Sequence, residues 1–226
     1  YSQFLIYAWN SFKLAVTVSV ICMLIAVLIT YYQRVSRASL KYWPGRVASA
    51  GYALPGTVLA IAVLLVLSFF DGLLNQVAVF FNTTDSLGLI LSGSIFALIF
   101  AYVVRFYAIA QGTLEASFAR IPPSFDMASA AMGKTSSQTL RLVHLPLLKR
   151  GILTAGLLIF IECMKELPAA LLLRPFDFET LATHVYQYAS DEQLELAASS
   201  ALFIVIVGLL PLYFITSSME SSRRYE

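Results

Sequence analysis

An all-α integral membrane protein with five transmembrane helices, or six in the full chain, is the fold that this 226-residue sequence predicts. Hydrophobic residues make up 59% and charged residues 12% of it, about half the roughly 25% charged content of soluble domains, and mean hydropathy is +0.78. Four uncharged runs, at 14–33, 47–70, 86–104 and 196–219, are 20, 24, 19 and 24 residues long, and about 20 residues suffice to cross a bilayer as a helix. Basic and non-basic loops alternate between these runs. Buried helices of a soluble core do not supply four such stretches in so short a chain.

The first span is expected at about 11–32, followed by a loop with Arg34, Arg37, Lys41 and Arg46. The second, at 48–70, carries Gly51, Pro55 and Gly56, residues that permit bending and close helix contact. Residues 71–85 contain no Lys or Arg, and a third span follows at 86–109 with Arg105 near its end. Beyond it lie Arg120, Lys134, Arg141, Lys149 and Arg150. The fourth span, at 151–173, is interrupted by the charged stretch ECMKE at 162–166. An acidic-leaning segment, 174–196, precedes the fifth span at 197–218, and Arg223 and Arg224 close the chain. Cytoplasmic loops collect Lys and Arg, so the pattern places the N-terminus of this segment outside and the C-terminus in the cytoplasm of a multi-pass membrane protein.

Cys22 and Cys163 lie in apolar stretches without partner spacing and suggest neither a disulfide nor a metal site. A net charge of +2 points to no acidic partner, and no nucleic-acid partner is expected; membrane lipid is. No basic region or cleavage site precedes the first span, which reads as no signal peptide to remove. The chain, which opens on Tyr1, reads as a fragment or a processed product.

Residues 124–150 are the exception to the apolar pattern. Met127, Ala128, Ser129, Ala130, Ala131 and Met132 form a small-residue helix former. From Leu140 onward, Leu140, Val143, Leu147 and Leu148 follow an amphipathic helical spacing, with Arg141 and His144 alongside. Gly133 separates the two pieces and allows a sharp turn, and Pro146 is expected to limit the second piece. Two short helices hinged at Gly133 are therefore predicted, presented to a protein groove; a helix lying in the lipid interface is the alternative. GKT at 133–135 imitates a phosphate-binding loop, but the glycine required five positions earlier is Ala128.

The spacing of Ala128, Gly133, Val143, Leu145 and Pro146 resembles the cytoplasmic EAA loop of permease subunits in binding-protein-dependent ABC importers. Met127 occupies the usual acidic position, Ser129 replaces the second alanine, and Asp126 stands in for the carboxylate. With YALPG at 52–56, KELPAALLLRPFDFETLAT at 165–183 and ASDEQLELAASSAL at 189–202, the chain is similar to the C-terminal half of ferric-iron importer permeases. The resemblance implies a type I ABC importer permease fold, a single permease domain over 1–226 and a coupling loop at 124–150. It also implies an ATPase subunit dimer that binds ATP and magnesium, a periplasmic iron-binding protein, and a second permease half or second copy. The chain itself is expected to bind no cofactor and to catalyse no reaction. On this reading Asp126, Ala128, Ser129, Gly133, Leu140, Val143, His144, Leu145 and Pro146 couple to the ATPase. Permeases for thiamine, polyamines or phosphonates share the loop.

Glu162, Lys165 and Glu166 are spaced to share one face of the fourth helix, with Pro168 loosening it. Charges at membrane depth face a bundle interior or a cavity, and Lys165 can neutralise one glutamate. They line the translocation pathway or a gate, or they form a structural ion pair. Two rivals follow from the same residues. An ion-gradient-driven transporter would use Glu162 and Glu166 as proton carriers, although no internal repeat accompanies them. A membrane hydrolase would pair Ser92 or Ser94 with His184. His184 with Tyr186, Tyr188, Asp191 and Glu192 has a metal-like composition but no ligand spacing, and no metal site is assigned.

Overall fold

The computed structural model describes residues 2–81 and 88–223, with side chains from residue 3 through residue 209. Helix α1 (Ser2–Val35) has 34 residues, about 51 Å at 1.5 Å per residue. It starts before the expected residue 11 because nothing in the preceding stretch, which lacks Gly and Pro, stops it. Helix α2 (Trp43–Ser49) has Pro44 in its first turn, where the missing N–H is not needed, and a 3-10 turn at Ala50–Ala53 continues it.

The expected second span is broken. Leu54 and Pro55 are extended (φ −83, ψ 139 and φ −57, ψ 139), because the ring of a proline pushes the residue before it out of the helical region. Helix α3 (Gly56–Phe80) starts only after them. The third span was expected from residue 86, but residues 86 and 87 lie outside the described ones. Helix α4 (Ile95–Ala119) begins where the Ser94 hydroxyl accepts from the Phe96 N–H at 3.3 Å.

Helices α5 (Ser124–Ala131) and α6 (Ser136–Thr139) form the protruding loop. A single wide turn at Leu140–His144 leads into α7 (Leu145–Lys165). The fourth span therefore starts earlier than 151, and it divides after Lys165, with Glu166 extended (φ −73, ψ 115) and α8 (Pro168–Leu173) resuming beyond the proline. Helices α9 (Leu181–Ser190) and α10 (Leu194–Arg223) complete the described chain. Arg224 of the predicted basic tail lies outside it. Among the described residues, α1, α3 and α4 are long and apolar enough to cross a membrane; α10 qualifies as a shorter apolar helix over Leu194–Leu209.

The core is the seam between α1, α4 and α7. Ala15, Val18, Cys22 and Ala26 of α1 meet Ala97, Ala101 and Ala110 of α4 and Ala155, Ile159 and Cys163 of α7, all buried. Small side chains let helix backbones approach closely where lipid supplies no hydrophobic drive. Both cysteines are buried free thiols. Helices α3 and α8 lie side by side on one flank, and α9 packs on α10.

Two constraints fix the flank. Asp71 of α3 is 1% exposed, and its carboxylate accepts from the N–H of Leu91 (2.8 Å), the N–H of Ser92 (2.9 Å) and the Ser92 hydroxyl (2.7 Å). Asp71 thus ties α3 to the segment entering α4. At the other end, Gly51 lies directly against the Val104 carbonyl of α4, where a Cβ would collide with backbone. Gly51→Ala is expected to cost about 1–3 kcal/mol by overpacking, read as a lower unfolding midpoint in detergent; an unchanged midpoint would refute this close approach.

Candidate functional site

The loop folds back at Gly133 as the sequence predicts. Gly133 has φ +72, a left-handed conformation that glycine adopts without steric cost. Its N–H donates to Ala130 O (2.9 Å) and the Lys134 N–H to Ser129 O (3.1 Å), a pair of bonds that closes the end of α5. Thr135 then caps α6, receiving the Gln138 N–H on its hydroxyl while the Gln138 side chain receives the Thr135 N–H. A 2.7 Å hydrogen bond between the Ser129 and Thr139 hydroxyls clamps the two short helices together.

Pro146 does not limit the second piece. The Leu145 N–H bonds to Leu140 O, five residues back, and this wider turn makes room for a proline ring that would otherwise strike the preceding turn of a regular helix. The backbone therefore stays helical from Ser136 through Lys165.

The wide turn aims His144 inward. It is 0% exposed rather than a surface contact, and its ring lies between Tyr31 of α1 and Phe118 of α4, with centroids at 5.6 and 5.5 Å. His144 Nε2 sits 2.8 Å from Asp126 Oδ1. Arg34, in the last turn of α1, places Nε and Nη2 at 2.8 and 2.6 Å from Asp126 Oδ2. The same guanidinium donates to the carbonyls of Phe118 (3.0 Å), Ile121 (2.9 Å) and Pro122 (3.3 Å). Partial burial pushes the Asp126 carboxyl up, but hydrogen bonds from Arg34 and His144 outweigh it and hold the group below its ordinary value. An ionised carboxylate only accepts, so the proton between Asp126 and His144 rests on Nε2.

Of the residues expected to meet a partner, Ser129 and His144 are buried, Asp126 is half-buried with both oxygens bonded within the chain, and Leu140, Val143 and Leu145 are half-buried. Ala128, Gly133 and Pro146 remain exposed. Much of the exposed surface of α5 and its end is apolar, with Phe125, Met127 and Met132 exposed, and Leu142 beyond α6 is exposed as well. Met127, in the helix former and at the usual acidic position of the loop, is exposed and belongs to this surface.

Glu162, Lys165 and Glu166 do not share one face. Lys165 Nζ pairs with Glu162 Oε1 at 2.8 Å on an exposed side. Glu166, 8% exposed, turns inward where α7 ends, and its Oε2 accepts from Arg105 Nε of α4 at 3.2 Å. Arg105 also donates to Leu54 O at the break before α3 (2.9 Å), and the Tyr102 hydroxyl donates to Glu166 O (2.9 Å). Gly56 leaves the space: a Cβ there would stand 2.9 Å from Glu166 Oε1 and 3.1 Å from Pro168. One ion pair thus joins the break in the second span to the break in the fourth. Its cation was visible in the sequence only as a charge near a span end.

A polar chain, buried at Gln111, Gln33 and Thr30 and reaching the surface at Glu115, runs along α4. Tyr107 and Thr30 donate to Gln111 Oε1 (2.6 and 3.4 Å), and Gln111 Nε2 donates to Gln33 Oε1 (3.2 Å) and Glu115 Oε1 (2.6 Å). The serine–histidine pair of a hydrolase does not form: Ser92 donates to Asp71, Ser94 caps α4, and His184 Nδ1 meets the Ser200 hydroxyl at 3.0 Å. Among the described residues no cluster of three or more His, Cys, Asp or Glu could hold a metal ion.

A family model described as binding-protein-dependent transport system inner membrane component matches residues 22–225. The Fe(3+)-transport system permease protein FbpB 2 of Haemophilus influenzae is 26% identical over 215 residues, 95% of this chain and 39% of that protein. The maltose/maltodextrin transport system permease protein MalG of Salmonella typhimurium is 28% identical over 216 residues, 91% of this chain and 66% of that protein. The chain thus spans about two fifths of the first relative's length and about two thirds of the second's. A solved inward-facing structure of the MetNI methionine ABC transporter superposes with a TM-score of 0.70 at 17% identity, covering 94% of this chain and 93% of that one, a likeness of fold.

Two outcomes are expected from this geometry. Removing one partner of a buried ion pair costs about 3–5 kcal/mol, so Arg105→Leu should lower the unfolding midpoint far more than Arg105→Leu combined with Glu166→Leu. Equal loss in both would refute the pairing. Because the folded-state value of Asp126 is lowered, its contribution is complete above the ordinary 3.8 and is lost as pH falls through the lowered value. Protection of amides 124–146, taken relative to their intrinsic exchange rates, should fall in that acid range, and Asp126→Asn should lose it at neutral pH; protection unaltered by that variant would refute the tie.

Proposed function

Since this chain belongs to the family of binding-protein-dependent transport system inner membrane components, we propose that it is the permease subunit, or half of one, of an ATP-driven importer. The observation that carries the reading is the hinged protrusion 124–144, held from within by Arg34, Asp126 and His144 and presenting Phe125, Met127 and Met132 outward. A rigid knob with an apolar crown fits a groove on a partner protein. The partner is an ATPase dimer that holds ATP and magnesium, while this chain holds no cofactor. Cargo arrives on a periplasmic binding protein, with the N-terminus of this segment outside and the C-terminus in the cytoplasm.

Motion has a direct route. From Ser136 to Lys165 the helix is unbroken and spans roughly 45 Å at 1.5 Å per residue, so tilting the knob moves the end of α7. There Glu166 holds Arg105, and the interrupted helices on either side are the kind of element that opens and closes a transport path. Glu162, Lys165, Glu166 and Pro168 are the gate region in this reading. A hydrolytic step in this chain is not part of it.

The favoured cargo is ferric iron. The block KELPAALLLRPFDFETLAT and the likeness to an Fe(3+)-transport permease support it. The comparable likeness to a maltodextrin permease favours a sugar as the second reading. Since the chain spans 39% of the iron permease, a second half or a second copy completes the pathway.

Vesicles with the assembled transporter should take up radioactive iron(III), presented on its binding protein, only with internal ATP; maltose should not enter. Uptake that ignores ATP and follows a proton gradient would refute the reading. At Gly133 the space is open and the backbone alone is demanding, and a left-handed residue with a Cβ costs about 1–2 kcal/mol, least for Asn or Asp. Uptake per ATP should fall in the order Gly133→Asn, Gly133→Asp, Gly133→Ala, Gly133→Val, with the protein still in the membrane. Full uptake by the valine variant would count against the docked loop.

A further inference from the structure

The loop is joined by the chain to α4 and α7 only, yet its strongest polar attachments lead to α1. Arg34 donates to Asp126 of α5 through two nitrogens, and to three carbonyls between Phe118 and Pro122, where α4 ends and the loop begins. One turn earlier, the Tyr31 hydroxyl donates to Ser136 O, the first residue of α6, at 2.6 Å. The last turn of α1 therefore grips both short helices of the loop, one through Arg34 and the other through Tyr31. His144 fills the space between them, bonded to Asp126 and flanked by the Tyr31 and Phe118 rings.

The consequence is mechanical. A guanidinium uses several donors in a fixed planar fork, so contacts to a carboxylate and three carbonyls define an orientation as well as a distance. Asp126 has both oxygens engaged within the chain, Oδ1 by His144 and Oδ2 by Arg34. It is the joint of the loop rather than its outward charge. Above the joint, α1 packs along α4 and α7 through Ala15, Val18, Cys22 and Ala26.

We infer that α1 is a driven helix: Arg34 and Tyr31 are positioning residues that lock the end of α1 to the coupling loop, so that the loop's stroke reaches the membrane through α1 as well as through α7. This rests on the permease reading above. It assigns to Arg34 a part in coupling, and it makes the outward contact of the loop an apolar one.

The test uses the assembled transporter in vesicles with iron(III) on its binding protein. Arg34→Gln is expected to keep ATP hydrolysis while uptake per ATP falls about tenfold, within the usual range of coupling energies. Arg34→Lys, which keeps the charge but not the fork, should fall between. Tyr31→Phe removes one hydroxyl while keeping the ring against His144, and should lower uptake per ATP about threefold, the worth of one hydrogen bond; it carries the test should Arg34→Gln not assemble. Nitroxides at Tyr32→Cys and Lys134→Cys, both exposed positions, should give one narrow separation with and without nucleotide. In the Arg34→Gln background that separation should change when nucleotide binds. A native separation that shifts with nucleotide, or unaltered uptake per ATP in both Arg34→Gln and Tyr31→Phe, would overturn the α1 link while leaving the permease reading intact. Uptake independent of ATP in the native protein would overturn both.

Discussion

Charge in hydrocarbon must be matched, and that requirement shapes this bundle at three levels. An ionised group on an isolated helix costs at least about 2.5–3.5 kcal/mol at membrane depth. Each buried charge here is consequently a joint between elements. Asp71 receives three hydrogen bonds from the approach to α4. Glu166 and Arg105 bind two interrupted spans to each other. Arg34, at the membrane edge, ties α1 to the loop. The apolar seam of α1, α4 and α7 supplies packing that many sequences could supply; the charges decide which helix ends meet.

These joints divide the molecule into parts with different mechanical characters. The seam is dense and small-residue-rich, and the loop is stiffened at its bend by the closure of α5 at Gly133 and the Thr135 cap of α6, with a hydroxyl clamp joining the two short helices. Regular winding is interrupted at two breaks, Leu54–Pro55 and Glu166, where the backbone is extended close to a proline. Those breaks face each other across one ion pair. A carbonyl freed by a break is costly in lipid unless a donor is near, and Arg105 and Tyr102 supply donors to Leu54 O and Glu166 O.

How much of this was legible depended on whether the signal was local. The helical class, the protruding loop and the left-handed Gly133 follow from composition, charge and one residue's stereochemistry. The break before Pro168 was legible as a loosened helix, while the break at Pro55 was read as mere bending in a span assumed continuous. Pro146 misled because a proline's effect on a helix depends on whether the turn can widen, which no single residue declares. The inward turn of Asp126, Ser129 and His144 was hidden for a different reason. Amphipathic spacing marks one face but cannot say that a guanidinium 92 positions earlier will take the carboxylate on it. Arg105 shows the same limit, since its partner arrives from 61 residues away.

The wide turn at Leu140–His144 has one more implication. A regular helix advances about 100° per residue, so a turn that spends one extra residue acts as a phase shifter between α6 and α7. Winding the same five residues as a regular helix would swing α6 about a quarter of a revolution out of its present register with α7. The loop and the membrane helix that follows it are thus set relative to each other by a count of residues, and not only by what those residues touch.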